Sequence, residues 1–553
     1  MRIARVHIEH FRSIKETTFI PSSYCVLVGE NNTGKSNVLR AINLVLGEAW
    51  PSERSFSEED FFSQDTSKDI VIQVYFDKEI QDQPNGYQVG IAGFELRCKA
   101  YKKLVGKKPA GTLKVDYVCI NSNGKGIVYP ATRLKKGEKY EGQWLPLRVS
   151  NDRREEIPFI YVGVLREYDR QNPGNRWSIL RKIFNEVNTD FLNDKTRVDV
   201  TLADGAMQKL TRKDAFERTV KDAYKYLRTD MFVDIEKRLA ANAMDQMGLD
   251  PGEGKITLHF ESHDPTHVFK SLQLYVDQMG ITSPAGEVGA GLQSAIVVGI
   301  FRTYEELKKE GAVFAVEEPE VFLHPQKARY FEAVLRRLSE NGNQVFLTTH
   351  SPIFVRIDQP ETVAKVHRTK DRGTWISQAT KVEIAENDRK ALRLMTEFDA
   401  QRNELFFASK VMLVEGITEK IALSLVFRAL GIDINQSGIS IVECGGKTKL
   451  PLFVLVVKAL GIPYIVLADE DTHKDRPEKE NNKHKQWNEA LQNVADADRL
   501  FFLKPDFESE VGLPHDESEK VSQALIRFQS MKAAEVPDCL KNPINRLLEI
   551  DKR

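Results

Sequence analysis

The chain is poor in cysteine, in long apolar runs and in net charge, and each shortage excludes something. Its five cysteines (Cys25, Cys98, Cys119, Cys444 and Cys539) are odd in number, widely spread and form no CxxC pair. That excludes a disulfide framework or a zinc finger and points to a reducing compartment. No apolar run reaches membrane-spanning length, and Met1-Arg2-Ile3-Ala4-Arg5 begins a strand pattern rather than a signal peptide, so no membrane partner and a cytoplasmic location are expected. The 79 Lys and Arg against 80 Asp and Glu leave a net charge of −1, so the balance predicts no partner and any nucleic-acid site must be a local patch. An apolar content of 41% describes an ordinary globular chain, and 553 residues exceed what one hydrophobic core organises, so two or more domains are expected.

What is present is chemistry-bearing motif. Gly29-Glu30-Asn31-Asn32-Thr33-Gly34-Lys35-Ser36 has the spacing of a phosphate-binding loop: Gly, four residues, Gly, Lys, Ser. Cys25-Val26-Leu27-Val28 leads in as a buried strand, and residues 37–46 lead out with apolar residues at helical spacing. Gly29 and Gly34, with Asn32 in the turn between them, let backbone N–H groups face inward around an anion at a helix N-terminus. Lys35 is placed to reach the β- and γ-phosphates of ATP, and Ser36 to hold Mg²⁺.

Downstream residues narrow the type of ATPase. The apolar run Ala312-Val313-Phe314-Ala315-Val316 reads as a buried parallel strand and ends in Glu317-Glu318-Pro319-Glu320. Acids at the carboxyl end of such a strand fall where open α/β sheets hold their ligands. Glu317 suits the Mg²⁺ shell and Glu318 the activation of an attacking water. A second strand, Gln344 to Thr348, ends near His350, which is placed to sense a γ-phosphate. Gly289 and Gly291, just before the apolar helix Ala295 to Phe301, make a second phosphate-capable surface.

Four segments are expected: 1–165 and 251–390 as two parts of the ATPase, 166–250 as a helical insertion suited to oligomer contacts, and 400–553 as a separate α/β domain. Long charged helices are expected from Arg176 to Val187 and from Arg212 to Ala243, and a strand over Lys255 to Phe260. Thr472 to Gln486 is polar and without apolar period, and reads as a mobile loop. The basic clusters Lys102-Lys103, Lys107-Lys108 and Lys135-Lys136 read as solvated strand edges and hairpin loops rather than a DNA-facing surface.

The last segment carries acids after successive strands. Val411 to Val414 ends in Glu415, with Glu419 following; Tyr464 to Ala468 ends in Asp469-Glu470-Asp471; Leu500 to Leu503 is followed by Asp506 and Glu508. Clustered carboxylates repel, and bound divalent cations are the usual compensation. Two Mg²⁺ or Mn²⁺ ions about 4 Å apart on such acids would suit phosphodiester cleavage.

Taken together, these motifs resemble known families. Val288-Gly289-Ala290-Gly291-Leu292-Gln293-Ser294 is similar to the signature motif of ABC-type ATPases, which binds the γ-phosphate held by a partner subunit. The opening Ile8-Glu9-His10-Phe11-Arg12-Ser13-Ile14 resembles the RecF/SMC-like branch and implies that Arg12 contacts the nucleotide. Glu317 stands where most of these ATPases have Asp, and Gln73 and Gln171 are weak candidates for the Gln that usually follows an early strand. A Glu after one strand and Asp-x-Asp after a later one resembles the Toprim domain, and an ABC-type ATPase followed by Toprim resembles the OLD (overcoming lysogenization defect) nucleases. This implies an α/β multidomain fold with an ABC-type ATPase head, a helical insertion and a Toprim domain built on a parallel sheet. It implies an ATP-gated, metal-dependent DNA endonuclease acting in defence against phage as a homodimer or larger assembly. Glu415 and Glu419 would hold one metal, Asp469 and Asp471 the second, with Glu508 completing the site. Gly445-Gly446-Lys447 fits the family's Gly-Lys turn, and Lys541 or Lys532 is the expected late lysine. Family relatives work alone, beside a helicase, or beside a reverse transcriptase and its RNA. The alternative is a RecF-like regulatory ATPase that binds DNA or senses a partner and cuts nothing.

Overall fold

The computed structural model describes residues 1–100, 112–133, 140–164, 178–201, 207–246, 268, 271–278, 280–307, 311–380, 382–397, 400–473, 477–514 and 520–550. They fall into two compact units: residues 1–164 with 305–553, and residues 165–304.

Among the described residues the larger unit contains an eleven-stranded sheet, a four-stranded sheet and a short two-stranded pair. In chain order its strands begin with β1 (Ile3–Phe11), β2 (Ile14–Phe19), β3 (Tyr24–Val28), β4 (Ile70–Asp82), β5 (Val89–Ala100) and β6 (Leu113–Ile120). The short pair β7 (Val128–Pro130) and β8 (Trp144–Pro146) comes next, and then β9 (Phe159–Val162). The smaller unit has two hairpins, β10 (Arg197–Thr201) with β11 (Met207–Thr211) and β12 (Tyr275–Gln278) with β13 (Ile281–Pro284). The head then resumes with β14 (Val313–Glu317), β15 (Gln344–Thr348), β16 (Val363–Thr369) and β17 (Gly373–Gln378). Its eleven-stranded sheet runs β6-β5-β4-β1-β2-β17-β16-β3-β15-β14-β9. The neighbours β9, β14, β15, β3 and β16 are parallel, and the rest of the sheet is antiparallel. β3, β14 and β15 are buried along their whole length, as continuous apolar runs in a covered parallel sheet should be. Their carboxyl ends lie side by side and carry the phosphate loop, Glu317-Glu318 and His350.

The second sheet is the four-stranded parallel β19-β18-β20-β21, made of β18 (Lys410–Val414), β19 (Ile439–Glu443), β20 (Tyr464–Asp469) and β21 (Leu500–Leu503). It has its own apolar core, in which Val414, Leu423, Phe427, Ile465 and Leu467 meet Phe507, Phe528 and Leu547. The ATPase head with its large mixed sheet and the C-terminal parallel-sheet domain agree with the expected fold class.

Two expectations are corrected. Residues 212–243 form two helices, Arg212–Leu227 and Asp230–Gln246, because the chain turns at Arg228 (φ −84°, ψ 66°). The stretch read as a mobile loop contains the start of a helix, Glu478–Val494, which opens on Pro477 and places Glu478 and Glu480 in the first turn, where the helix dipole favours negative charge. The helix at the head of the smaller unit is Ile179–Asn193. The strand expected at Lys255 to Phe260, the basic clusters at 102–108 and 135–136, and Gln171 lie outside the described residues. All five cysteines are unpaired, and no helix among the described residues is long and apolar enough to cross a membrane.

Candidate functional site

The phosphate loop closes β3 onto the helix Lys35–Leu46. Gly34 adopts φ 105°, and a Cβ there would stand 2.5 Å from Thr374 Oγ1 and 2.7 Å from Ser13 Oγ, so the position requires glycine. Thr374 in turn donates to Thr33 O (2.6 Å) and Ser13 Oγ (2.8 Å), and Asn37 donates to Ser13 Oγ (2.8 Å), which ties the loop to the β1–β2 turn. Asn32 takes φ 64°, and Arg368 donates to its carbonyl at 3.0 Å. Lys35 is buried, and its Nζ donates to Gly29 O (2.9 Å) and Glu30 O (3.0 Å). Burial brings its ammonium down to about 8, against the opposing pull of Glu318 and Glu320. A buried ammonium hydrogen-bonded to two backbone carbonyls of the loop fits a phosphate.

Glu317 is buried at the end of β14 and accepts hydrogen bonds from the hydroxyls of Tyr161 and Ser36, and burial lifts its pKa above the usual carboxylate range. The two residues expected around Mg²⁺ therefore meet. Glu318 takes φ 43° while its N–H donates to Thr348 O at 2.8 Å. His350 follows β15, and its imidazole is held below its ordinary pKa by burial first and then by Lys35. Glu320, to which the sequence reading gave no role, braces this edge by accepting from His350 N–H (2.7 Å) and Thr349 Oγ1 (2.8 Å). Arg12 is engaged by Asp60 at 2.7 Å. Gln73 lies in β4 and bonds Glu95 (2.6 Å) and Tyr75 (2.7 Å). In the smaller unit, a Cβ at Gly289 or Gly291 would meet nothing within 4 Å.

The second site lies at the carboxyl edge of the four-stranded sheet. Glu415, Asp469 and Asp471 each offer an oxygen within 4.8 Å of the others. Glu415 accepts from the Asp469 N–H (2.9 Å), and Asp469 accepts from the Phe507 N–H (2.8 Å). Burial, and after it the neighbouring acids, push Asp469 up to about 9; burial pushes Glu415 up to about 7 and raises Glu419 as well. Glu508 stands beside Glu419 and is paired with Lys520 at 3.0 Å. Lys447, in the Gly-Lys turn, donates to the carbonyls of Asp469 and Glu470 and to Asp471 Oδ2 (3.3 Å). Converging carboxylates held above their usual pKa are a donor set that fits divalent cations. Of the two candidates for a late lysine, Lys532 sits in a turn closed by Glu535 and Lys541 lies in the helix Asp538–Glu549, while Lys447 and Lys520 pair with Asp471 and Glu508.

Comparison with known proteins decides the family. The AAA ATPase domain matches residues 1–146 and 166–355, and the overcoming lysogenization defect protein-like TOPRIM domain matches residues 406–471. An OLD nuclease of Thermus scotoductus is 30% identical over 100% of this chain and 99% of its own length. The chain belongs to the OLD nuclease family. The Old nuclease of Escherichia phage P2 is 26% identical over 85% of this chain and 77% of its own. An endonuclease GajA of Bacillus cereus is 22% identical over 87% and 76%. The chain is thus an ATPase joined to a Toprim nuclease; the phosphate loop, Glu317, Glu318 and His350 fall in the first matched region, Glu415, Glu419, Lys447, Asp469 and Asp471 in the second, and Glu508 and Lys520 lie beyond it.

The raised carboxylates make a stability prediction. Folded metal-free protein keeps a proton on Asp469 up to about pH 9, whereas the unfolded chain loses it near pH 4. The native state therefore binds more protons across that window, and stability falls as pH rises through it, by up to ~1.4 kcal/mol per pH unit for one group. Thermal melts of metal-free protein between pH 5 and 9 should show this decline, and Asp469→Asn should flatten it; equal slopes in both proteins would contradict the assignment.

Proposed function

We propose that this ATPase–nuclease cleaves DNA at the Glu415, Asp469 and Asp471 cluster with divalent cations bound there, and that ATP at the phosphate loop gates the cleavage. The observation that carries the reading is the convergence of three carboxylates at two neighbouring strand ends, two of which, Glu415 and Asp469, are pushed up to about 7 and about 9. When bound, Mg²⁺ or Mn²⁺ would supply the positive charge that draws in and polarises a phosphodiester. The chain's own part is to hold the donors. Backbone N–H groups of Asp469 and Phe507 fix one oxygen each of Glu415 and Asp469, and Lys447 draws the Asp469–Asp471 turn together. Glu419 and Glu508 extend the acidic surface for a second cation, and Lys520 offsets part of its charge.

At the head, Gly29, Asn32, Gly34 and Lys35 would hold the phosphates, Ser36 and Glu317 the Mg²⁺, and Glu318 and His350 the attacking water and the γ-phosphate. Arg12 would reach the nucleotide after releasing Asp60. Gly289 and Gly291, with open space beside their Cα atoms, suit a phosphate brought by a second subunit and support a homodimer or larger assembly. Gating is supported by direct bonds between the head and the Toprim domain. Glu30 of the phosphate loop accepts from Ser409 Oγ, and the buried Lys365 of β16 donates to Phe406 O (2.8 Å) and Ala408 O (3.0 Å). β18 starts beside Ser409 and ends beside Glu415, about 20 Å from Ser409 at 3.3 Å per residue. The family resemblance supports a role in defence against phage, and the dispersed, unpaired cysteines support a cytoplasmic location.

Supercoiled plasmid should be nicked or linearised in Mg²⁺ or Mn²⁺ by the wild type and left intact by Asp469→Ala. Equal cutting by both would place the active site elsewhere, and no cutting under any metal would favour the regulatory ATPase. Ser409→Ala should keep ATP hydrolysis but shrink the difference in cleavage between ATP and no nucleotide by up to about tenfold, the worth of one hydrogen bond. An undiminished nucleotide effect would remove Ser409 from the coupling.

A further inference from the structure

The helix Glu478–Val494 turns a polar face inward. Asn481, His484 and Asn488 lie at spacings of three and four residues, so they share one side of the helix, and all three are shielded while Glu478, Lys483, Lys485, Gln486 and Glu489 are exposed. Each of the three meets the segment that follows β20. Asn488 Nδ2 donates to Glu470 O at 2.9 Å. His484 Nδ1 stands 3.4 Å from Asp471 Oδ2. Asn481 both accepts from His473 N–H (3.2 Å) and donates to His473 O (2.7 Å). From the other side, His473 Nε2 reaches Asp506 Oδ2 at 3.2 Å, and Asp506 caps the helix that bears Glu508 through the Ser509 N–H (2.8 Å).

The segment they hold needs holding. Asp471 adopts φ 56°, a left-handed conformation that a non-glycine residue occupies only when its surroundings impose it. In that conformation its carboxylate lies with those of Glu415 and Asp469. Repulsion within the cluster works to drive it out again. Asn488 and Asn481 hold the residues on either side of it, Glu470 and His473, by hydrogen bonds, and His484 stands beside its carboxylate.

We infer that this helix face is a positioning surface for Asp471, and that Asn488 and His484 are positioning residues that set the affinity of the carboxylate cluster for its cations. The inference rests on the proposed role of that cluster. Outer partners of this kind change metal affinity by about 10- to 100-fold when lost. No role in proton transfer is needed.

The test is a titration of nucleotide-free protein with Mn²⁺, following free Mn²⁺ by its electron paramagnetic resonance signal, with Asp469→Ala as the reference for binding elsewhere. Asn488→Leu and His484→Leu should each weaken Mn²⁺ binding by about 10-fold or more. His484→Gln, which keeps a polar atom in reach of Asp471, should recover most of the loss. Cleavage by the leucine variants should be restored at high Mn²⁺, and their melting temperatures without metal should stay near that of the wild type. Affinities within twofold of wild type in both leucine variants would overturn the inference, as would a lowered melting temperature with unchanged affinity. Should Asn488→Leu not fold, His484→Leu and His484→Gln decide the matter alone. If Asp469→Ala binds Mn²⁺ as well as the wild type does, the carboxylate reading fails and the positioning role fails with it.

Discussion

Carboxylates whose oxygens lie within 4.8 Å of one another repel, and the surroundings of Glu415, Asp469 and Asp471 can be understood as the means of keeping them there. The parallel register pairs Leu413 with Val466, which brings the residue after β18 beside the last residues of β20. The next turn is then drawn in by Lys447, by the backbone carbonyls of Leu503 and Pro505, and by the helix that follows. A single ammonium cannot neutralise three acids, and burial together with the neighbouring acids raises the pKa values of Glu415 and Asp469. The domain is built to be completed by cations.

The head follows the same rule of placement with a different donor set. Its ligand-binding groups also sit at the carboxyl ends of adjacent parallel strands, where the sheet order puts β3 between β16 and β15, with β14 one strand beyond. There a buried lysine stands near Glu318 and Glu320, and Glu317 lies beside the hydroxyls of Tyr161 and Ser36.

The parts of both sites that were legible in the sequence are those in which one short segment contains both the structural cue and the chemistry. The phosphate loop, Glu317 and the Glu415 and Asp469-Glu470-Asp471 pairs each follow a run of apolar residues that can only be a buried strand, so type and position are read together. Residues that act across long sequence distances were not legible. Asp60 takes up Arg12 from 48 residues away, and Lys520 reaches Glu508 from a separate helix. The helix Glu478–Val494 was missed for a more specific reason: apart from Leu491 its inward positions are Asn481, His484 and Asn488, and a periodicity search for apolar residues does not register a mainly polar inward face. The break at Arg228 that divides the charged helices was hidden likewise, because neither neighbouring residue is Gly or Pro.

β18 has ladder partners on both sides, β19 and β20. A strand so placed cannot slide along its own axis: a shift of one residue would turn every side chain to the opposite face and break both ladders. A push at Ser409 is therefore not transmitted as by a piston. It can only tilt the four-stranded sheet as one body, and Glu415 and the end of β20 move together with their mutual spacing preserved. Under the proposed gating, nucleotide state would change where the acidic edge points without changing its internal geometry, so that control of access and competence for metal binding would be mechanically separate properties of the same strand.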